Sequence, residues 1–251
     1  MKQNIYDNQI FYQKYSALRE SGVTYNDFIE QPAMKSAISS LQGKIILDLG
    51  CGAGKFARYC IDNGAARVCA VDISRNMIEQ AKKENEHENI DYICMPMEEL
   101  ELTAQTFDLV ISSLAIHYME DFDNLIAKVY RLLNRNGEFI FSTEHPVTTA
   151  RKEKNNWVKD KDGNKLHWAL DNYQEEGKRK QHWYIDGVIT YHRTISTLIN
   201  TLIKNGFILE KVMEPQSTPE GLKKMPKLVN EKRRPSFIII KSRKAGDDFV
   251  I

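Results

Sequence analysis

The stretch Ile45-Ile46-Leu47-Asp48-Leu49-Gly50-Cys51-Gly52-Ala53-Gly54 decides the fold: an apolar run meets an acid and turns at once into three glycines at alternate positions. Apolar residues bounded by turn signals read as a buried strand of a parallel sheet. Glycines just beyond its carboxyl end let the backbone pass close beneath a ligand without Cβ clashes. Residues 53–62 then read as a helix. A dinucleotide site requires G-x-G-x-x-G, whose third glycine lets helix and strand pack closely while the helix N-terminus meets a pyrophosphate. Counted from Gly50 and Gly52, that third position is Lys55, which disfavours a nicotinamide dehydrogenase. A tight turn with no ligand is the bland alternative for this segment taken alone.

Working outward, residues 67–72 read as a second buried strand ending in Asp72, roughly 20 residues past the glycines, where such folds place an acid on ribose hydroxyls. Capping of the next helix is the alternative role for Asp72, although Ser74 is the better N-cap. A third strand at 90–94 leads into Met95-Pro96-Met97-Glu98-Glu99-Leu100, and residues 106–114 read as a fourth.

These four segments, in this order over residues 45–114, resemble the class I S-adenosylmethionine-dependent methyltransferases, and most of all the bacterial type 11 group. The D-x-G-x-G-x-G pattern from Asp48 is similar to motif I, and Thr106-Phe107-Asp108-Leu109-Val110-Ile111-Ser112-Ser113-Leu114 resembles motif IV. The resemblance implies an α/β fold, a doubly wound, mostly parallel sheet of seven strands whose last strand runs antiparallel between the fifth and sixth. It implies S-adenosylmethionine as cofactor and S-adenosylhomocysteine as product. Asp48, Gly50, Cys51, Gly52 and Ser113 are then cofactor-binding residues, Asp72 takes the ribose, and Ile73 and Met77 flank the adenine, though Met77 also suits plain helix core. Many members carry an Asp where Pro96 stands, which leaves the backbone groups of Met97 and Glu98 as the adenine contacts.

Composition fits one domain over residues 1–251, with a helical cap at 1–42 and a substrate-recognition insert or lid at 145–193. The 35 Lys and Arg nearly cancel the 34 Asp and Glu, so no global field recruits nucleic acid or an anionic membrane, and no DNA partner is expected. Cys51, Cys60, Cys69 and Cys94 form no C-x-x-C pair and read as reduced thiols in or near the core. With no signal peptide at the start and no membrane-length apolar run, the expected setting is cytoplasmic, as monomer or homodimer. No His/Cys/Asp cluster has metal-ligand spacing, so metal-independent transfer is expected.

The remaining elements read as a helix at 121–134, a fifth strand at 138–143, a helix at 194–205 and strands at 207–213 and 236–241. Residues 144–193 leave strand periodicity and become rich in aromatic, His and charged side chains. A long excursion past the carboxyl end of a strand lies at the crevice where parallel sheets bind ligands. Packing of these aromatics onto the sheet is the rival account. Tyr12, Tyr15 and Arg19 share one face of a helix. In related methyltransferases such a tyrosine and arginine close over the cofactor, the arginine meeting its carboxylate; an ordinary helix surface is the alternative.

Candidate catalytic residues follow the strand ends. His117 lies just past the fourth strand, with a helix cap as its alternative. Glu144 and His145 end the fifth and could form an acid/base pair, with a loop-fixing hydrogen bond as the rival. Tyr118, His192 and Arg193 are candidate substrate contacts, and Arg193 suits an acceptor carboxylate. Ser112-Ser113-Leu114-Ala115 is not the N/D-P-P-[YF] motif of enzymes that methylate base amines, and the loop has no nucleophilic Cys. The basic stretch from Lys223 to Arg234 reads as a solvated face, with an RNA or acidic-protein contact left open. The leading function is methyl transfer to an O or N nucleophile of a small molecule. An RNA or protein methyltransferase and a non-catalytic S-adenosylmethionine-binding module are the alternatives.

Overall fold

The computed structural model describes residues 3–104, 106–153 and 156–245. Helix α1 (Gln9–Glu20) opens the chain, and a π-helical segment, Asn26–Glu30, leads into α2 (Gln31–Ala37). Strand β1 (Ile45–Leu49), α3 (Lys55–Asp62), β2 (Arg67–Asp72), α4 (Arg75–Glu84), β3 (Ile90–Cys94) and β4 (Phe107–Ser112) follow in alternation. Next come α5 (Phe122–Leu132) and β5 (Leu133–Glu144), then α6 (Pro146–Thr149) and four short strands: β6 (Trp157–Lys159), β7 (Lys165–Trp168), β8 (Gly177–Trp183) and β9 (Ile185–His192). The chain closes with α7 (Ile195–Lys204), β10 (Phe207–Met213), α8 (Pro219–Lys224) and β11 (Phe237–Lys244).

Seven strands form one sheet in the order β10-β11-β5-β4-β1-β2-β3. β11 runs antiparallel to both β5 and β10, while the pairs from β5 across to β3 are parallel. This is the class I methyltransferase order. Strand residues alternate between two cores, one on each face, as the period of two demands. Leu47, Leu49, Val110, Phe139 and Phe141 meet α5 and α7 through Phe122, Leu125, Leu198 and Leu202. Ile46, Val68, Ala70, Leu109 and Ile140 meet α2, α3 and α4 through Met34, Phe56, Cys60 and Ile78.

Several boundaries differ from the sequence reading for local reasons. The turn bond from Gly54 N to Cys51 O delays α3 by two residues, and Ser74 caps α4 by accepting from Met77 N. β4 stops at Ser112 because Leu114 enters the left-handed region, with φ at +50°. β5 begins early, at Leu133, with a register shift against β4 between Phe107 and Leu109. The residue 145–193 excursion holds two antiparallel hairpins, β6-β7 and β8-β9. Cys94 is exposed rather than near-core, since it stands at the open end of edge strand β3. No helix among the described residues is long and apolar enough to cross a membrane.

The elbow after β1 is pinned by Val71 O, which accepts from both Gly50 N (2.8 Å) and Cys51 N (3.0 Å). Gly50 and Gly52 both have positive φ, at +77° and +52°, but differ in surroundings. A Cβ on Gly50 would lie 2.4 Å from Ala115 Cβ, whereas one on Gly52 would meet nothing within 4 Å. Gly50→Ala should therefore lower stability in urea denaturation by about 1–3 kcal/mol more than Gly52→Ala, because only the first adds overpacking to backbone strain. Equal losses for the two variants would show that strain alone matters there.

Candidate active site

The ground beside Gly52 is open, with nothing within 4 Å of where a Cβ would stand. Gly52 N donates to Asp72 Oδ2 (2.9 Å) and Ser74 N donates to Oδ1 (2.8 Å), so the strand-end carboxylate is fixed by backbone on both sides of the crevice. Each oxygen retains a lone pair for a vicinal diol. Burial raises the Asp72 pKa, against the two N–H bonds that favour its ionised form. Asp48, one strand away, is 1 % exposed, and its Oδ2 has no hydrogen-bond partner. Burial first, then the charges of Asp72 and Glu30, push it up to about 8.

An orphaned, buried carboxylate oxygen at an elbow with open ground beside it is the observation that tests the fit of a nucleoside joined through sulfur to an amino-acid arm. Such a ligand offers a diol to Asp72 and an ammonium to Asp48, and the residues present fit both groups. Met97 is buried beside Gly50, and Met77 is buried on α4. Ile73 is half-buried at the same rim, and its carbonyl accepts from Asn4 Nδ2 (3.3 Å). The Glu98 carbonyl is already occupied, accepting from Lys128 Nζ (2.6 Å).

A buried acid with no sequence signal lies on the other side. Glu30 is fully buried and accepts from Ser113 Oγ (2.8 Å), Ser142 Oγ (2.6 Å) and Gln31 Nε2 (2.9 Å), while burial raises its pKa. The Ser113 hydroxyl is thus turned toward Glu30. Arg19 donates to Thr24 Oγ1 (3.2 Å) and lies 3.9 Å from Asp27. Its charge acts on Glu30 and on Tyr15, lowering the pKa of each against the effect of burial.

The amino-terminal arm is tied down by a residue that reading missed. Asp7 accepts from Ser74 Oγ (2.6 Å), Asn76 N (3.1 Å) and Arg75 N (3.3 Å), so it caps α4 from outside. Burial opposes ionisation of Asp7, but these bonds outweigh it and lower the pKa. The latch carries Tyr6 onto Tyr15, with ring centroids 5.0 Å apart, and within 3.3 Å of the Tyr118 hydroxyl. Trp183 from β8 closes the same aromatic cluster against Phe11 and Tyr15.

The acceptor-side candidates separate into free and committed groups. His117 is buried, its Nδ1 has no partner, and burial with the nearby Arg193 charge lowers its pKa to about 3. The ring is neutral at working pH and is a poor proton acceptor. Glu144 is half-buried, and desolvation pushes its carboxyl up to about 7, where a general base is most effective.

The proposed Glu144–His145 pair does not form. His145 Nε2 is 2.8 Å from Glu214 Oε1 and Nδ1 accepts from Val147 N, so the ring fixes the loop and caps α6. His192 is fully buried between Thr149 Oγ1 (2.7 Å) and Tyr173 O (2.9 Å), which removes it from the substrate contacts. Arg193 holds the Met119 and Glu120 carbonyls and stacks on Phe122 at 5.1 Å. Glu144, Thr148 and Thr149 form part of the wall of a cavity of about 720 Å³, bounded otherwise by the two insert hairpins and Arg234. The basic side chains from Lys223 through Arg233 are exposed, as a solvated face would be, although Arg233 also donates to the Lys165 and Leu166 carbonyls of β7; only Arg234 is partly buried, over Trp168 at 4.5 Å.

Residues 47–141 match the family model described as a methyltransferase domain. A Haemophilus influenzae protein described only as uncharacterized is 38% identical over 253 residues, covering 97% of this chain and 98% of its own. A structure from Listeria monocytogenes, described as a candidate S-adenosylmethionine-dependent methyltransferase, is 39% identical with a TM-score of 0.82, covering 86% of this chain and 97% of its own. A Mesorhizobium loti S-adenosylmethionine-dependent methyltransferase is 37% identical with a TM-score of 0.80 over the same shares. The fold and the elbow define a class I methyltransferase. The chain belongs to the S-adenosylmethionine-dependent methyltransferase family, and S-adenosylmethionine is its cofactor.

Asp72→Ala should weaken binding of S-adenosylhomocysteine by about 1.5–3 kcal/mol in calorimetry, the scale of charge-assisted hydrogen bonds. Unchanged affinity in a folded variant would remove Asp72 from the ribose site. Asp48 supplies a pH signature. Its raised pKa leaves it largely protonated below about 8 in the free chain, and a bound ammonium favours the carboxylate. Affinity should then rise from pH 6 to 8 with proton release, and this slope should vanish in Asp48→Asn.

Proposed function

We propose that this chain transfers a methyl group to an O or N nucleophile of a small molecule bound in the cavity against Glu144. The cavity's size carries the reading: about 720 Å³ lies inside the roughly 300–1,000 Å³ range of small-ligand sites. It opens beyond the carboxyl end of β5, where doubly wound sheets bind their ligands. When bound, S-adenosylmethionine supplies a methyl group on a positively charged sulfur, which is displaced in line.

The protein's own share is mostly positioning, which can lower a barrier by about 7–11 kcal/mol. Asp72 and Asp48 hold the two polar ends of the donor. Tyr6, Tyr15 and Tyr118 exclude water beside them and present aromatic faces, each of which attracts a cation by about 0.5–2 kcal/mol. Glu144 takes the proton that the acceptor loses as its lone pair closes on the methyl carbon, while sulfur keeps the electrons of the broken bond. His117 is a neutral ring whose Nδ1 has no partner in the protein and is free to accept a hydrogen bond.

Incubation with labelled methyl donor and a fractionated cell extract should place the label in the small-molecule fraction, whereas label in RNA or protein, or in nothing, would overturn the reading. With an acceptor in hand, Glu144→Gln should lower kcat by about 10²–10⁴-fold with little change in donor affinity. In the parent chain the rate should climb as pH rises through about 7, since the ionised carboxylate is the base. That limb should be missing from the variant's profile; its persistence would assign the proton to another group.

A further inference from the structure

The cavity between the insert hairpins carries a charge pattern that methyl transfer by itself does not require. Its wall holds seven basic side chains against two acidic ones, Glu144 and Glu153, in a chain whose formal net charge is only +1. Three of the seven serve the insert's own structure. Arg179 is buried and donates to the carbonyls of Ala150 and Glu175. Lys152 pairs with Glu175, and Arg151 lies 3.8 Å from Glu153.

Lys159, Lys165 and Lys180 differ, because each is exposed at the cavity and none forms an ion pair among the described residues. Lys165 lies over the Trp157 ring at 4.7 Å, and Arg233 lies over the same ring at 4.6 Å. Trp157 meets Trp168 edge to face at 5.2 Å, with Arg234 over the second indole. The indole pair thus gathers three cations, two of which, Lys165 and Arg234, line the cavity. Burial, and after it the charges of Arg234, Lys159, Arg233 and Lys227, lower the Lys165 pKa, which records like charges crowded together. Such crowding is unfavourable until an anion enters, and the low-dielectric walls strengthen the attraction when it does.

One orphaned donor points the same way. Arg234 pairs with Glu231 and donates to Ser236 through Nη1, but its Nε is buried without a hydrogen-bond partner, and the residue lines the cavity. Buried donors are nearly always satisfied in a working protein, so a ligand oxygen able to meet it is the simplest completion.

We propose that the methyl acceptor is a small anion, held through a carboxylate or phosphate group by Lys159, Lys165, Lys180 and Arg234, with its nucleophile toward Glu144. This inference deepens the small-molecule reading and rests on it. Recognition is divided between the two walls. The hairpin wall and Arg234 read charge, and the sheet wall holds the reacting end.

The test is calorimetric titration of the chain, with and without S-adenosylhomocysteine, against inorganic pyrophosphate, tricarballylate and a short single-stranded RNA. At least one of the two small anions should bind saturably, and the one bound more tightly identifies the acceptor group as phosphate or carboxylate. Binding should weaken by about tenfold or more in Lys165→Ala/Lys180→Ala, and further in Lys165→Glu, with S-adenosylhomocysteine affinity unchanged as the check on folding. No saturable binding of either anion, or equal binding by the variants, overturns the proposal. RNA bound more tightly than both, and lost on the same substitutions, overturns it in favour of a nucleic-acid surface. The two readings fail separately: the titration reports on the cavity alone, and a methyl label found on an uncharged small molecule would keep the transfer while refuting the anionic acceptor.

Discussion

The contact on which the rest of this site depends is the hydrogen bond from Gly52 N to the Asp72 carboxylate. It joins the loop after β1 to the end of β2, and it is possible only because Val71 O has already drawn Gly50 and Cys51 against the neighbouring strand. The close approach of Ala115 to Gly50 comes from the loop after β4, so three strand ends converge on one turn. With the elbow set, Asp48 Oδ2 stays buried without a hydrogen-bond partner, and the polar network beneath the turn is left open.

The cofactor half of the site was legible because it is local. Asp48, the glycines and Asp72 lie on two consecutive strand-turn units, where spacing alone places them. The Ser74 cap was readable for the same reason, whereas the ends of β4 and β5 shifted by two to five residues with the left-handed turn at Leu114 and the early start at Leu133. Glu30 was invisible, since nothing in a half-polar helical segment announces that an acid is fully buried until the Ser113 and Ser142 hydroxyls, the latter 112 residues away, are seen to receive it. The same holds for Asp7, whose partner Ser74 lies 67 residues on.

The acceptor half was legible only as a location. The reading placed recognition between residues 145 and 193, but it could not tell a histidine with an unbonded ring nitrogen from one held at both. His145 and His192 have both ring nitrogens occupied by Glu214 and Val147, and by Thr149 and Tyr173. His117 stays unpaired at Nδ1. Histidines of equal promise in sequence therefore divide by which neighbours the fold supplies. Likewise Arg234 reads as surface charge like its exposed neighbour Arg233, because the ring it packs on, Trp168, belongs to a distant part of the chain.

The direction of β11 has a broader consequence. Because it descends between β5 and β10, its first residue, Phe237, pairs with Glu144, and the loop entering it arrives at the ligand end of the sheet. Reversing that one strand would deliver the same loop to the opposite pole. The primary structure is thereby doubled back on itself, so that Arg233, just ahead of that strand, bonds to the backbone of residues 165 and 166, and two stretches of chain 67 and 68 positions apart are stapled at one pole.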